Sequence, residues 1–373
     1  VSLTGADYCI TGSSGTDALL LALMACDVGP GDAVFTTPFT FIATAEVVSF
    51  LGATPVFVDI DPHTFNIDPE QLKAAIENVK NGIKPTTEIP DNLRPKCIIP
   101  VDLFGLPADY DVINQIAKEN DLVVIEDAAQ SFGASYKGKM SGNLTDIAAT
   151  SFFPAKPLGC YGDGGAVFTN DKDLAELCFS YHHCGRIKGR PWYEIHRLGW
   201  NYRMSEFQAA ILIVQLERLE KLNFKKMENA KYLTDNLSQI EGIKPLEVDP
   251  KMTILSYYLY VLRYDSAKFS GVHRNKFVEA LIAEGIPATI GYDFPIYSNP
   301  LFLNKDFFPK NFPISYQYHN KAINYDDFRQ RCPVAEKACN EEAIWLSQNV
   351  LLGSKEDTDD IVRAIEKIKK NIK

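Results

Sequence analysis

Residues 123–134 read VVIEDAAQSFGA, an apolar run that stops at Glu126 and Asp127, with Gln130 one helical turn later. A short apolar run bounded by polar residues is typical of a buried β-strand, and we place this one at Leu122–Glu126. In parallel α/β sheets, ligands bind beyond the carboxyl ends of the strands. The stretch therefore predicts a buried strand that delivers acidic side chains to a ligand site.

The same alternation of strands and helices extends through the first two-thirds of the chain. Further strands are predicted at Ala33–Thr36, Thr54–Asp59 and Cys97–Val101. Helical periodicity marks the segments between them, at Ala18–Cys26, Thr44–Phe50, Asp68–Asn78 and Tyr110–Glu119. Strands separated by helices indicate βαβ units, so we expect an α/β fold with a mostly parallel sheet.

A change of pattern near residue 205 indicates a second, smaller domain. One long helix is predicted from Ser205 to about Ile240, followed by a strand at Tyr257–Arg263 and helices at Arg274–Glu284 and Thr358–Lys370. We expect a large domain at 1–235 and a small α+β C-terminal domain at 236–373. The polar stretch Asn78–Pro95 is predicted as a surface insertion. Because the chain does not begin with Met, we expect an N-terminal segment to precede it.

Composition excludes several classes of function. The net charge of −10 argues against nucleic acid or an anionic membrane as a partner. No apolar run is long enough to span a membrane, and no signal peptide is recognisable. The eight cysteines contain no C-x-x-C pair, so neither a zinc site nor a disulfide framework is predicted. We expect a cytoplasmic protein without a metal.

A candidate anion site lies near the start of the chain. A strand at Tyr8–Thr11 is followed by GSSGTD at 12–17 and then by the helical ALLLALMA. The free N–H groups at a helix start bind phosphate, with Gly15 permitting close approach and Thr16 adding a hydroxyl. An ordinary helix cap would give the same pattern. No Gly-Lys-Ser/Thr follows, so this is not a P-loop.

Two further side chains are candidates for cofactor chemistry. Asp127, at the end of its strand, would hold a cationic ring nitrogen, although a helix-capping aspartate is the alternative. Lys156 lies in SFFPAKPLGCYGDGG at 151–165, framed by proline, glycine and aromatic residues. A desolvated lysine in such a loop can act as a nucleophile, whereas the alternative is a solvated surface charge.

Together and in this order, these segments resemble the DegT/DnrJ/EryC1/StrS family of sugar aminotransferases that use pyridoxal phosphate (PLP). The likeness extends over almost the whole chain and includes SSGTDALLLAL at 13–23 and GWNYRMSEFQAAIL at 199–212. It implies the fold type I architecture of aspartate aminotransferase: a large domain with a mostly parallel central sheet and a smaller α+β C-terminal domain. It also implies that the cofactor is pyridoxal 5'-phosphate.

The resemblance assigns a role to each matching residue. Lys156 would bind the cofactor covalently and then carry the proton between cofactor and substrate carbons. Asp127 would pair with the pyridine nitrogen, and Gln130 would hydrogen-bond near the ring oxygen. Phe41 would stack on the ring. The phosphate would be bound by Gly15, Thr16 and Ser151.

Asn201, in the GWNYRM motif, would reach the cofactor phosphate of a partner subunit. The resemblance therefore implies a homodimer with shared active sites. Relatives that dehydrate sugars carry histidine in place of the lysine, so Lys156 favours amino-group transfer.

The substrate is less sharply indicated, because two branches of the family are matched. The Lys156 segment is similar to enzymes that aminate 3-keto nucleotide sugars, whereas residues 182–211 are similar to glutamine-dependent inosose and aminohydroxybenzoate enzymes. Five basic residues between Arg186 and Arg203 would suit a nucleotide diphosphate, or would form a solvated loop. His183, Arg186 and Tyr292 are candidate substrate contacts, with ordinary structural histidines as the alternative for His183. Tyr297 is expected at the pocket entrance.

The predicted function is transfer of an amino group from L-glutamate or L-glutamine to a keto group of a nucleotide-linked sugar, for polysaccharide or amino-sugar biosynthesis. The alternatives are a glutamine-dependent cyclitol aminotransferase, a PLP-dependent sugar dehydratase and a non-catalytic or regulatory binder of the same fold. A binder has no need of Lys156, Asp127 and Gln130 together. A nicotinamide-dependent oxidoreductase is disfavoured, because no G-x-G-x-x-G follows the first strand.

Overall fold

Seven strands form the central sheet of the protein, whose structure is a computed structural model that describes residues 1–84, 86, 92–303 and 324–372. The strand order is β1-β9-β8-β5-β4-β2-β3. The strands are β1 (Tyr8–Gly12), β2 (Asp32–Thr36), β3 (Thr54–Phe57), β4 (Arg94–Ile99), β5 (Val123–Asp127), β8 (Ile147–Ser151) and β9 (Gly165–Thr169).

Six of the seven strands run in the same direction. The seventh, β9, is antiparallel to its neighbours β1 and β8. Strands β2, β3, β8 and β9 are buried along their whole length, as expected for a sheet covered on both faces. The carboxyl ends of β1, β5 and β8 therefore meet at one edge. That edge carries Asp127 and Ser151, each the last residue of its strand.

Helices cover both faces of the sheet. Helix α1 packs its leucines against β8 and β9, and Ser14 caps its start by accepting a hydrogen bond from the Asp17 N–H. The helices of this part are α1 (Gly15–Ala25), α2 (Ala43–Phe50), α3 (Pro69–Lys80), α4 (Tyr110–Asn120), α5 (Lys172–His182) and α6 (Glu206–Leu237).

A second sheet, of order β10-β12-β14-β13, is built from the last third of the chain. Its strands are β10 (Ile243–Pro245), β12 (Leu259–Tyr264), β13 (Ala288–Thr289) and β14 (Ala343–Ser347). The accompanying helices are α7 (Arg274–Ala283), α8 (Pro300–Leu303), α9 (Pro333–Lys337) and α10 (Lys355–Asn371). A three-stranded sheet of β6 (Ser135–Tyr136), β7 (Lys139–Met140) and β11 (Met252–Ile254) joins the two parts.

The hydrophobic core is continuous between the two sheets. One cluster of buried side chains includes Phe35 and Phe57 of the central sheet together with Leu262 and Ile365. Aromatic contacts extend this cluster, since the Phe57 ring lies 5.3 Å from that of Phe328, centroid to centroid. The division at residues 235 and 236 stays a prediction, because it falls inside helix α6.

The strands and helices predicted from the sequence are confirmed, with ends that differ by a few residues. The expected insertion at Asn78–Pro95 is only partly described: helix α3 continues to Lys80 and β4 begins at Arg94, while residue 85 and residues 87–91 lie outside the described residues. Within the described part of the chain, no helix combines the length and apolarity needed to cross a membrane.

Candidate active site

A cavity of about 420 Å³ opens at the carboxyl edge of the central sheet. Seven of the eight side chains predicted to bind a cofactor line it, and Asn201 is the exception. The lining residues are Ser14, Gly15, Thr16, Leu19, Thr40, Phe41, Ala43, Thr44, Asp127, Ala129, Gln130, Ala149, Thr150, Ser151, Phe153, Lys156, Asp163 and Tyr258.

One end of the cavity is formed by the start of helix α1. Gly15 is the first residue of the helix, and a Cβ atom placed on it would lie 2.6 Å from Cβ of Ser151. A Cβ on Gly165 would lie 2.3 Å from the carbonyl oxygen of Ser14. Both glycines are therefore required by the close approach of three backbone segments. The exposed helix N–H groups and the hydroxyls of Thr16 and Ser151 form a cradle suited to a phosphate.

Asp127 also lines the cavity and is 4% exposed. Its Oδ2 accepts a 2.8 Å hydrogen bond from Thr44, and its Oδ1 accepts one from the Ala129 N–H at 3.1 Å. Burial raises the pKa of Asp127, and both hydrogen bonds and the charge of Lys156 oppose that rise. A carboxylate held in this way would be stabilised further by a cation placed beside it.

Lys156 belongs to the loop after β8, where its N–H donates to the Phe153 carbonyl. Its Nζ lies 4.6 Å from the centroid of the Tyr258 ring. Burial lowers the pKa of Lys156, while the charge of Asp127 acts in the opposite direction. The surface-charge alternative is thus not what the structure shows: the amine lines the cavity, and its burial shifts the equilibrium toward the neutral, nucleophilic form.

Gln130 and Phe41 complete the set of predicted residues that line the cavity. The Gln130 side-chain oxygen accepts a hydrogen bond from the Phe104 N–H at 2.9 Å, which leaves the amide N–H groups to donate. Phe41 is 57% exposed at the rim of the cavity. Its ring is therefore free to cover a planar group bound below it.

Two buried carboxyl groups, those of Asp102 and Glu126, lie next to Asp127. Asp102 accepts hydrogen bonds from Tyr110 and Ser131, and Glu126 accepts from Ser141. Both side chains are fully buried. Burial raises the pKa of each carboxyl group, and the charge of Asp102 raises the pKa of Glu126 further.

Four predicted site residues do not line the cavity, and three of them, Asn201, His183 and Arg186, belong to the segment 183–201. Asn201 is exposed and pairs with His183 in an isolated β-bridge. His183 Nδ1 lies 3.0 Å from Nη1 of Arg203. Arg186 stacks on Trp192, with the guanidinium carbon 4.5 Å from the ring centroid. Within a single chain, these three residues therefore do not reach the cavity that Lys156 lines.

The two tyrosines of the C-terminal part that were predicted near the site, Tyr292 and Tyr297, lie in different surroundings. Tyr292 packs edge to face on Trp345, with 4.6 Å between ring centroids, and lies within hydrogen-bonding reach of Gln130. It borders the site without lining the cavity. The expectation for Tyr297 is wrong: the side chain is fully buried in the core, where its hydroxyl donates to Glu336. Its ring packs against those of Phe57 and Phe328 in an aromatic cluster, and not at the entrance.

Sequence reasoning missed several residues of the cavity. Thr44 supports Asp127 from helix α2, and Tyr258 faces Lys156 from a segment about 100 residues away in sequence. Asp163 also lines the cavity. The only available sign of Thr44 was its place close after Phe41, while nothing local marked Tyr258. Among the described residues, no cluster of three or more metal-binding side chains is present.

Comparison with known proteins supplies independent findings. The model of the DegT/DnrJ/EryC1/StrS aminotransferase family matches residues 1–326. The chain is 46% identical over 297 residues to UDP-2-acetamido-2-deoxy-3-oxo-D-glucuronate aminotransferase of Pseudomonas aeruginosa, a match that covers 79% of this chain and 75% of the relative.

Two other relatives match nearly the full chain. L-glutamine:2-deoxy-scyllo-inosose aminotransferase of Streptoalloteichus tenebrarius is 33% identical over 374 residues, covering 98% of this chain and 82% of the relative. The crystal structure of a DegT/DnrJ/EryC1/StrS aminotransferase from Brucella abortus is 36% identical, with a TM-score of 0.81. That match covers 98% of this chain and 87% of the other. Both the sequence and the fold are therefore those of a single group of enzymes.

Proposed function

Because the chain belongs to the DegT/DnrJ/EryC1/StrS aminotransferase family, we propose that it transfers an amino group from an amino acid to a keto group of a nucleotide-linked sugar, with PLP held by Lys156. The observation that carries the proposal is the cavity in which Lys156, Asp127 and the Gly15 cradle meet. Each of these groups would bind one part of the cofactor: Lys156 its aldehyde, Asp127 its ring nitrogen and the Gly15 cradle its phosphate.

Three features of shape and charge support PLP as the cofactor of this cavity. The glycine at position 15 leaves backbone N–H groups accessible where any larger side chain would collide with Ser151. The buried Asp127 carboxylate has hydrogen-bond donors on both oxygens and still lacks a full counter-charge of its own. Phe41 is free to cover a ring between these two ends. When bound, PLP supplies a ring that takes up the electron pair released as a substrate proton departs.

The residues of this chain would act in a defined order. Asp127 would hold the proton on the ring nitrogen: burial raises the pKa of Asp127, but its two hydrogen bonds and a ring cation beside it would favour the ionised carboxylate. Once the amino acid has displaced Lys156 from the cofactor, the freed neutral amine would take the α-proton and return a proton to the aldehyde carbon of the cofactor, on the far side of the amino nitrogen. The same lysine would carry out the reverse transfer for the keto sugar. Both halves share one site, so we expect ping-pong kinetics.

A nucleotide-linked keto sugar is the substrate class that we favour. The relative at 46% identity is named for a UDP-linked 3-oxo sugar acid. Basic residues of the 186–203 loop would suit a diphosphate, and His183, Arg186 and Tyr292 stay our candidates for substrate contacts. A cyclitol ketone is the second candidate, because the glutamine-dependent inosose enzyme matches 98% of the chain.

We also propose that the active unit is a homodimer in which Asn201 of each chain reaches the cavity of the other, because Asn201 does not line the cavity of its own chain. The surface around Asn201 supports this proposal through exposed apolar side chains. Leu198 is 89% exposed and Phe207 is 85% exposed. Apolar patches of this kind mark interaction sites. We further propose a cytoplasmic location, because the eight cysteines are free, as a reducing compartment favours.

Product analysis tests the proposed function. The purified protein, loaded with PLP, would be mixed with L-glutamate or L-glutamine and either a UDP-linked 3-keto sugar or 2-deoxy-scyllo-inosose. We expect mass spectrometry to find an amine on the nucleotide sugar, and none with Lys156→Ala. An amine on the cyclitol alone would replace the favoured substrate class by the second candidate. Loss of water from the sugar without gain of nitrogen would make the protein a dehydratase, and no product with any pair would overturn the assignment.

A further inference from the structure

A buried lysine lies behind the active-site loop. Lys226, in the middle of helix α6, is only 1% exposed. Its Nζ donates to two neutral acceptors, the carbonyl oxygen of Ser256 and Oε1 of Gln348, the latter at 3.2 Å. Burial lowers the pKa of Lys226 to about 8. Among the described residues the amine has no carboxylate partner, so its hydrogen bonds go to uncharged groups.

Gln348 connects this lysine to the cofactor loop. While its Oε1 accepts from Lys226, its Nε2 donates to the carbonyl oxygen of Ala155 at 2.9 Å and to that of Lys156 at 3.4 Å. The amide has one donor end and one acceptor end, so the contact with Lys226 fixes which end faces the loop. The backbone of Lys156 is therefore held from the C-terminal part of the chain.

Ser256 connects the same lysine to Gln130, which also lines the cavity. The Ser256 hydroxyl donates to the carbonyl oxygen of Gln130 at 3.1 Å. Two residues later, the Tyr258 ring faces Nζ of Lys156. Lys226 thus holds two segments, one that carries the Tyr258 ring and one that binds the backbone of the Lys156 loop.

Packing alone does not account for a lysine at this position. A buried amine without a carboxylate partner is costly, and an apolar side chain of similar length would fill the space without that cost. Unlike an apolar side chain, the amine orients one carbonyl group, that of Ser256, and one side-chain amide, that of Gln348. Both groups belong to segments that contact Lys156.

We propose that Lys226 is a positioning residue, which acts through Gln348 and Ser256 to fix Lys156 and the Tyr258 ring relative to each other. The proposal rests on the proposed function only in taking Lys156 as the residue that holds PLP. Lys226 does not itself line the cavity and needs no contact with the cofactor.

Two variants separate this role from simple stability. Lys226→Met removes both contacts of the amine. Gln348→Glu keeps an acceptor for Lys226, and so keeps the buried amine paired, but it turns a carboxylate oxygen toward the carbonyls of Ala155 and Lys156. Lys221→Met, on the exposed side of the same helix, is the matched control.

The first measurement is amide hydrogen exchange over residues 153–158 of the full chain, with and without PLP. We expect exchange to be about five-fold faster in both variants, the effect of losing one net hydrogen bond, and unchanged in Lys221→Met. The second is the visible circular dichroism per bound PLP, which reports the orientation of the ring. We expect it to fall in both variants while the melting temperature of Gln348→Glu stays at the wild-type value.

The outcomes are distinct for the two proposals. Wild-type exchange and wild-type circular dichroism in both variants would overturn the positioning role. A change in Lys226→Met alone, accompanied by a lower melting temperature, would also overturn it, because the lysine would then act on stability only. If the wild-type protein binds no PLP, the proposed function fails, whereas the exchange of the cofactor-free chain still decides whether Lys226 orders the loop.

Discussion

Thr44 Oγ1 donates a 2.8 Å hydrogen bond to Oδ2 of Asp127, although the two residues are 83 positions apart in sequence. The contact joins the first turn of helix α2 to the end of strand β5. Asp127 is buried, so its ionised form depends on the few donors that reach it. Thr44 is one of these donors, and it was not among the residues predicted from the sequence.

Thr44→Val should weaken PLP binding most at low pH. Burial raises the pKa of Asp127 and the Thr44 hydroxyl opposes that rise, so removing the hydroxyl raises the pKa further. A larger fraction of Asp127 would then be protonated below neutral pH and unable to pair with a ring cation. We expect an affinity loss of about five-fold at low pH, as for one hydrogen bond, that shrinks as pH rises.

A titration of PLP followed by its visible absorption at several pH values measures this effect. Thr54→Val is the matched control, because the Thr54 hydroxyl is buried without a hydrogen-bond partner among the described residues. An equal loss of affinity at every pH would contradict the role of Thr44 in the charge state of Asp127.

Gly15→Ala should close the phosphate cradle. The added Cβ would lie 2.6 Å from that of Ser151, so either helix α1 or strand β8 must shift. We expect PLP affinity to fall by at least about five-fold, consistent with a cost of about 1–3 kcal/mol for overpacking. In Gly29→Ala, the added methyl group meets no atom within 4 Å, and this variant should bind PLP like the wild type. Equal affinity of the two variants would show that the phosphate is bound elsewhere.

The buried Glu126 should make stability depend on pH. Burial and the charge of Asp102 raise the pKa of Glu126 above its ordinary value, so the folded state binds a proton that the unfolded state has released. The free energy of unfolding therefore falls as pH rises from the ordinary carboxyl pKa through the raised one. In Glu126→Gln this fall should be smaller, because a neutral amide has no proton to lose.

Denaturant unfolding at several pH values between 5 and 9, a range set by the raised carboxyl pKa of about 8, tests this prediction. The free energy of unfolding for Glu126→Gln is expected to be lower than that of the wild type at acid pH, where the amide cannot replace every hydrogen bond of the acid. Parallel pH curves for the two proteins would rule out Glu126 as the titrating group.

Mixing two inactive variants should restore activity if the sites are shared. Lys156→Ala lacks the amine, and Asn201→Ala lacks the side chain proposed to serve the partner. A mixed dimer contains one complete site, so subunit exchange at equal amounts should give about a quarter of wild-type activity, as expected for a two-fold dimer. No restoration after verified exchange, measured by native mass spectrometry, would place Asn201 outside the partner's site.

Much of the central sheet could be predicted from sequence, because its strands are continuous apolar runs with short helices between them. Asp127 follows directly from a strand end and Gly15 from the start of a helix, whereas Ser151 was indicated only by the family resemblance, because strand β8 was not predicted. The first two positions are local consequences of where an element begins or ends. The antiparallel strand β9 was missed, since nothing in Gly165–Thr169 specifies the direction in which it joins the sheet.

The remainder of the site depends on contacts that no local pattern encodes. Tyr258 reaches Lys156 only because the segment before β12 packs on the loop after β4, where a Cβ at Gly105 would lie 2.5 Å from the Tyr257 nitrogen. Tyr297 was misplaced for the same reason: its burial depends on Phe57 and Phe328, which lie far from it in sequence. Local sequence predicts the residue types of a site better than it predicts which distant segments of the chain come into contact there.

The most direct test of the central claim is the identity of the lysine that carries the cofactor. The PLP-loaded protein would be reduced with borohydride, which makes the bond between lysine and cofactor permanent, then digested and analysed by peptide mass spectrometry. We expect the adduct on Lys156 in the wild type and no adduct at that position in Lys156→Ala. An adduct on Lys226 or another lysine, or no adduct in a wild-type protein saturated with PLP, would contradict the account.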